Sequence, residues 1–341
     1  MYNMDTMPLR KGHIWILIIA SAGQFFGGVL AILVGVIAPL ITITHHPELS
    51  SWLQGFIFSA GLIGIMLGSL LFGRLSDKYG YLFFFRLSPL LIVGSSLWLC
   101  FNPSLVTLPI NLLIIGLAIG GDYALDPSYV SEIMPQKWRR TMLGISKASS
   151  GVGNILMILV AWFVLKNSAD PAIWNRLFLF LTFFAALAFS GRLWFVESPE
   201  WLALHGKVQE AEKNIKHFLG KDVYIGELAN KKDQTTRPQA SAKDLFARGN
   251  IKRILLSGIP WGCEGMGVYG IGIFTPILLL TLGLVPSGEN PFDKVVESFR
   301  FTLYINLFVM LGFLLGLTVV RRISIIPVSY THLRAHETLS D

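Results

Sequence analysis

The sequence predicts an all-α membrane protein of eight transmembrane spans, and three features of its 341 residues predict it together. Hydrophobic residues make up 53% of the chain and charged ones only 14%, where soluble domains carry roughly a quarter charged. Mean hydropathy is +0.59. The apolar residues gather into eight stretches, each near the ~20 residues that cross a bilayer as a helix. Inside hydrocarbon the backbone must satisfy its own hydrogen bonds, so such stretches fold as helices. So little charge cannot coat a water-facing surface, which excludes a cytosolic enzyme, a secreted disulfide scaffold and a disordered chain. Cys100 and Cys263 lie within apolar runs and read as small buried hydrophobes, neither a disulfide nor a metal pair.

The stretches cover approximately 13–43, 52–73, 82–101, 107–131, 142–165, 174–196, 254–282 and 299–320. The first is too long for a cleaved leader and is expected to stay as span 1. Of the Lys and Arg residues flanking the spans, 22 fall on the side of the N-terminus and four on the other. The positive-inside rule therefore places the N-terminus and the long loop in the cytoplasm. The net charge of +7 is topology, with no nucleic-acid partner implied.

Residues 1–196 hold six spans and residues 251–327 hold two, separated by a loop at 197–250. The loop opens with SPEWLALHGKVQEAEKNIKHFL, apolar at helical spacing, which predicts an amphipathic surface helix with Ser198 as N-cap. From Gly226 it is polar and aperiodic, as a flexible linker is. LGSLLFGRLSDKYG from Leu67 recurs loosely as LGFLLGLTVVRRIS from Leu311, and Gly28, Gly35 and Pro39 recur as Gly265, Gly272 and Pro276. Spans 7 and 8 thus read as second copies of spans 1 and 2, as in transporters built from parallel halves. The end of the chain, VSYTHLRAHET, resembles translated sequencing adapter. Residues 328–341 are accordingly read as non-native, and the natural protein is expected to continue beyond Pro327.

Three segments carry a family resemblance. GRLSDKYG follows span 2, VESPEWL ends span 6, and GGDYALDPSYVSEIMPQKWRR runs from span 4 into span 5. Together they resemble the major facilitator superfamily, on the side of the sugar porters and phosphate:proton symporters. That resemblance implies a complete six-helix N-terminal half followed by the first two helices of the C-terminal half. It also implies a conformational ion-pair network at the cytoplasmic face, assigned to Asp77, Glu132, Arg140, Arg192 and Glu197. Trp261 and Tyr269 have the eight-residue spacing of the phosphate symporters' binding aromatics, with Glu264 one residue before the position of their aspartate.

The buried charges argue independently. An ionisable side chain in a membrane helix is costly unless paired or hydrated, so each is a functional candidate. Asp122 and Asp126 share a face of span 4. Lys147 of span 5 reaches comparable depth at 1.5 Å per residue, and Glu264 lies in span 7. These four either face one cavity and exchange a proton, with Asp122, Asp126 and Glu264 as carriers, or form a static Asp–Lys pair between spans 4 and 5. Gln24, Tyr123, Lys147, Trp261 and Tyr269 are the candidate solute-binding residues; for Gln24 an inter-helix hydrogen bond is the equal alternative. His45 and His46 form either a pH-sensing pair or a solvated loop. GVGNIL lies inside an apolar span and cradles no nucleotide.

The resulting expectation is a secondary active transporter in the cell (inner) membrane, multi-pass and monomeric. It moves a small polar solute, an organic or inorganic anion or a sugar, by alternating access with proton coupling. No catalytic residue, cofactor or metal is assigned. The alternatives are an uncoupled facilitator, an efflux carrier, or a membrane sensor that kept the fold.

Overall fold

The computed structural model describes residues 2–4, 6–45, 51–168, 170–220, 222–224, 248–285 and 290–322. The linker expected from Gly226, as far as residue 247, lies outside the described residues, as do His46 and the tail from Val328. Among the described residues, eight helices are long and apolar enough to cross a bilayer.

Span 1 is α1 (Lys11–Ala20) and α2 (Ala22–His45), parted at Ser21. Spans 2 to 5 are α3 (Ser51–Tyr79), α4 (Tyr81–Phe101), α5 (Thr107–Ile133) and α6 (Gln136–Lys166). A 3-10 turn (Pro171–Leu177) leads into α7 (Phe178–Arg192) as span 6. Two short helices follow, α8 (Pro199–Leu204) and α9 (Val208–Leu219). Span 7 is α10 (Arg248–Gly265), a π turn (Met266–Ile271) and α11 (Gly272–Thr281), and span 8 is α12 (Pro291–Arg322). Several helices outrun the apolar stretches that announce them. Apolarity marks the hydrocarbon crossing, whereas backbone hydrogen bonding continues into the polar ends.

The first six spans form one bundle. Span 2 lies along span 4, span 1 along span 5, and span 3 against spans 4 and 6; span 7 packs on span 1 and span 8 on span 5. The contact of spans 2 and 4 is made by glycines on both sides. Gly64 and Gly68 face the carbonyls of Leu113 and Leu117, while Gly116 and Gly120 face those of Gly61 and Ile65. A side chain at any of them would strike backbone, and small residues are what let membrane helices approach this closely.

Two apolar clusters fill the bundle, one around Phe26, Ile37, Ile115, Met157 and Leu181, the other around Ile16, Phe85, Tyr129, Phe195 and Ile215 near the chain's start. They meet at the level of Gly23, Asp122 and Arg192. At the N-terminal face, β1 (Tyr2–Asn3) pairs in parallel with β2 (Val223–Tyr224). Arg10 closes this corner with an ion pair to Asp222 at 2.6 Å.

Two expectations need correction. The surface helix after Ser198 is broken in two, because Gly206 takes φ +76° and turns the chain between α8 and α9. Cys263 is exposed and Cys100 half-buried rather than buried; the stretch of span 7 around Cys263 is exposed on nearly every side.

Candidate transport site

Ser21 sets up the site. Its amide and its hydroxyl both bond the Leu17 carbonyl, at 2.9 and 2.6 Å, a local competition that interrupts helices. The break makes Ala22 a fresh helix start, whose first amides have no partner within the helix. The Gly23 amide donates instead to Asp126 Oδ2 at 3.2 Å. A Cβ on Gly23 would collide with the side chains of Asp122 and Asp126, so the close approach requires glycine.

Arg192, at the end of span 6, supplies the cation. Its Nη1 is 2.8 Å from Asp122 Oδ1 and donates to the Phe85 carbonyl at 3.0 Å, while Nη2 lies 3.5 Å from Asp126 Oδ1. The guanidinium also stands 5.0 Å from the centre of the Phe85 ring. All three charged side chains are fully buried, with 0% exposure. One guanidinium thus joins spans 3, 4 and 6, and Asp126 adds span 1. Two carboxyl groups face one cation, so with both ionised one negative charge is uncompensated among the described residues. Asp122 Oδ2 and the nearby Gln24 Oε1 have no hydrogen-bond partner there. Gln24 is buried, and its Oε1 makes no inter-helix hydrogen bond among the described residues.

The static Asp–Lys pair, the alternative reading for spans 4 and 5, does not form. Lys147 bonds Glu264 of span 7 at 3.2 Å and lies 4.8 Å from the Trp261 ring centre. Rise per residue fixes depth but not direction around the helix axis. Lys147 faces span 7, while Asp122 faces Arg192.

Among the described residues, three polar bridges connect the six-helix bundle to spans 7 and 8. The first is Lys147 to Glu264. The Tyr123 and Tyr269 hydroxyls meet at 2.8 Å, with the Tyr123 hydroxyl seated where a side chain at position 27 would otherwise stand. Asn154 and Asn306 meet through their amides at 3.0 Å. The sequence reading missed both asparagines, although a lone amide in the middle of an apolar span is the same signal that singled out Gln24.

The network expected at the N-terminal face takes another form. Arg192 is drawn inward to the aspartates. Glu197 accepts from the Tyr81 and Leu82 amides at 2.7 and 3.2 Å, capping the positive start of span 3. Gly80 allows this with φ +93°, its missing side chain leaving room for the Glu197 carboxylate. Glu132 accepts from the Ser198 hydroxyl, which also caps α8 by accepting from the Trp201 amide at 3.0 Å. Asp77 gives only its carbonyl, to Trp201 Nε1 at 3.0 Å; its carboxylate and Arg140 are exposed. Among the described residues, no ion pair joins Asp77, Glu132, Arg140 and Glu197 to one another.

A bundle of membrane helices with a second set packed against it has the architecture of the major facilitator fold. Residues 9–324 match the sugar (and other) transporter family, and the chain belongs to that family. It is 27% identical to the inner membrane metabolite transport protein YgcS of Escherichia coli, over 98% of this chain and 68% of the relative. A D-xylose transporter of Levilactobacillus brevis is 30% identical, over 76% of this chain and 57% of that protein. The fold is shared with the E. coli xylose transporter XylE in a partially occluded inward-open state. The TM-score is 0.72 at 18% identity, covering 92% of this chain and 74% of XylE.

Proposed function

We propose that the protein is a proton-coupled secondary transporter that moves a small polar solute by alternating access, with Asp122 and Asp126 as the proton-binding dyad. The observation that carries this reading is the fully buried node of two carboxylates and one guanidinium where four spans meet. One proton on the dyad cancels its excess charge, and its departure restores that charge. The energy of the node then depends on proton occupancy, and so does the packing of spans 1, 3, 4 and 6 around it. Gln24, Tyr123, Trp261 and Tyr269 line the solute path, and the Lys147–Glu264 pair parts when the path opens. Residues 1–196 move as one half against the half that begins at 251, with the loop at 197–250 between them. The N-terminus lies in the cytoplasm and the protein works as a monomer. A sugar is the solute that its relatives favour: one is named a D-xylose transporter, and XylE is described as a proton:xylose symporter.

The test uses proteoliposomes. Asp122→Asn is expected to abolish accumulation driven by a proton gradient while solute exchange across the membrane continues, because exchange moves no net proton. Undiminished accumulation in both Asp122→Asn and Asp126→Asn would remove the dyad from the coupling step and favour an uncoupled facilitator.

A further inference from the structure

On the face opposite the N-terminus, a cavity of about 640 Å³ opens between the last turn of span 5 and the first turns of span 8. None of its lining belongs to the charged node or to the three bridges. Its volume is within the usual range for small-molecule sites, roughly 300–1,000 Å³. One wall is Trp162, whose ring has the Lys166 ammonium 4.9 Å from its centre. The other wall is one face of α12, where Asp293, Glu297 and Arg300 follow at helical spacing. Asn167 lies on the rim.

The charges lining this cavity sum to zero. Arg300 is ion-paired with Glu297, and the remaining Lys166 and Asp293 are again one of each sign. An ion of either sign entering here meets as many like charges as opposite ones. A neutral hydroxyl both donates and accepts, so it can join these groups without disturbing their balance. Arg300 Nε is buried with no hydrogen-bond partner among the described residues. Trp162 offers apolar ring surface beside groups that donate and accept, and a sugar ring presents both kinds of surface.

We propose that this cavity is an outer binding site for a neutral monosaccharide, packed beside Trp162 and hydrogen-bonded through its hydroxyls to Asn167, Lys166 and the Asp293–Glu297–Arg300 face. The proposal extends the carrier reading above: the solute is held here beside the translocation path, at a place separate from Tyr123 and Tyr269.

The experiment places 5-fluorotryptophan in the full chain in lipid nanodiscs and assigns the Trp162 fluorine resonance with Trp162→Phe. The probes are methyl β-D-xylopyranoside, sodium lactate and glycine. The sugar is expected to move the Trp162 resonance and the two charged probes to leave it in place. Loss of one charge-assisted hydrogen bond in Glu297→Gln should weaken the sugar titration about tenfold. Glu297 is part exposed, so its neutral variant tests binding without removing buried packing. A silent Trp162, an equal response to lactate or glycine, or an unchanged titration in both Glu297→Gln and Asp293→Asn would overturn the proposal. A silent Trp162 with intact uptake counts against this site alone. An intact Trp162 response without uptake counts against the carrier reading alone.

Discussion

Arg192 is the residue on which the buried node depends. Replacing it with Gln leaves Asp122 and Asp126 together without a cation in a fully buried place. Removing one partner of a buried pair costs about 3–5 kcal/mol, because the remaining charge is stranded. Arg192→Gln is therefore expected to lower the melting temperature in detergent sharply, as read by fluorescence-detected size exclusion; an unchanged melting curve would mean that water reaches the dyad. The two aspartates were legible in the sequence, since a carboxylate within an apolar span is conspicuous in any reading. Arg192 was legible as a charged residue but not as their partner. At the end of span 6 it looks like a flanking cation, and only packing shows that its side chain turns inward under Phe85. Asn154 and Asn306 escaped for a related reason: an amide bears no formal charge, and its importance lies in which neighbour it meets.

Helix ends carry the next level of organisation, and here the sequence told half the story. Ser198 before Pro199 announced a helix start, and its hydroxyl caps the Trp201 amide as expected. Glu197 was assigned to an ion-pair network, yet it serves the amides that open span 3, a contact set by the fold and by Gly80. The two-residue strands β1 and β2 are too short for any periodic pattern to reveal. They are joined by the Arg10–Asp222 pair, in which hydrogen bonding to the guanidinium holds the Asp222 carboxyl down at about 2, from an ordinary 3.8. A depressed carboxyl contributes stability above its unfolded value and loses it as the pH falls through the folded one. The corner should thus be indifferent to pH from 8 to about 5 and open only between about 4 and 2. Hydrogen exchange of the Val223 and Tyr224 amides measures this, and Asp222→Asn should show the open behaviour at neutral pH. Faster exchange already at about pH 6 in the unmutated protein would assign the corner to another group.

At the scale of the whole molecule, the eight spans and their order were legible because hydrophobicity alone dictates them. Which side chains meet between the bundle and spans 7 and 8 was not, since contacts between distant spans depend on direction around each helix axis. Lys147 and Glu264 are each about a third exposed, so their attraction is modest, near 1 kcal/mol or less. If they work as a releasable contact between halves, Lys147→Glu and Glu264→Lys should each slow uptake by no more than about fivefold. The exchanged double variant should restore most of the rate. Failure of the exchange, with solute affinity lost in the Lys147 variant alone, would make Lys147 a direct ligand. The three bridges also have an electrical consequence. A lysine with a glutamate, two phenols and two amides carry no net charge in any pair. Parting them shifts no net charge through the membrane field, whose action is about 2.3 kcal/mol per charge per 100 mV. Among the described residues, the fully buried Asp122–Asp126–Arg192 node is then where membrane voltage acts on the rocking of the halves. Asp122→Asn makes that node neutral, so it should silence the transient currents of the empty carrier on a solid-supported membrane. Currents of undiminished size would mean that some other charge crosses the field.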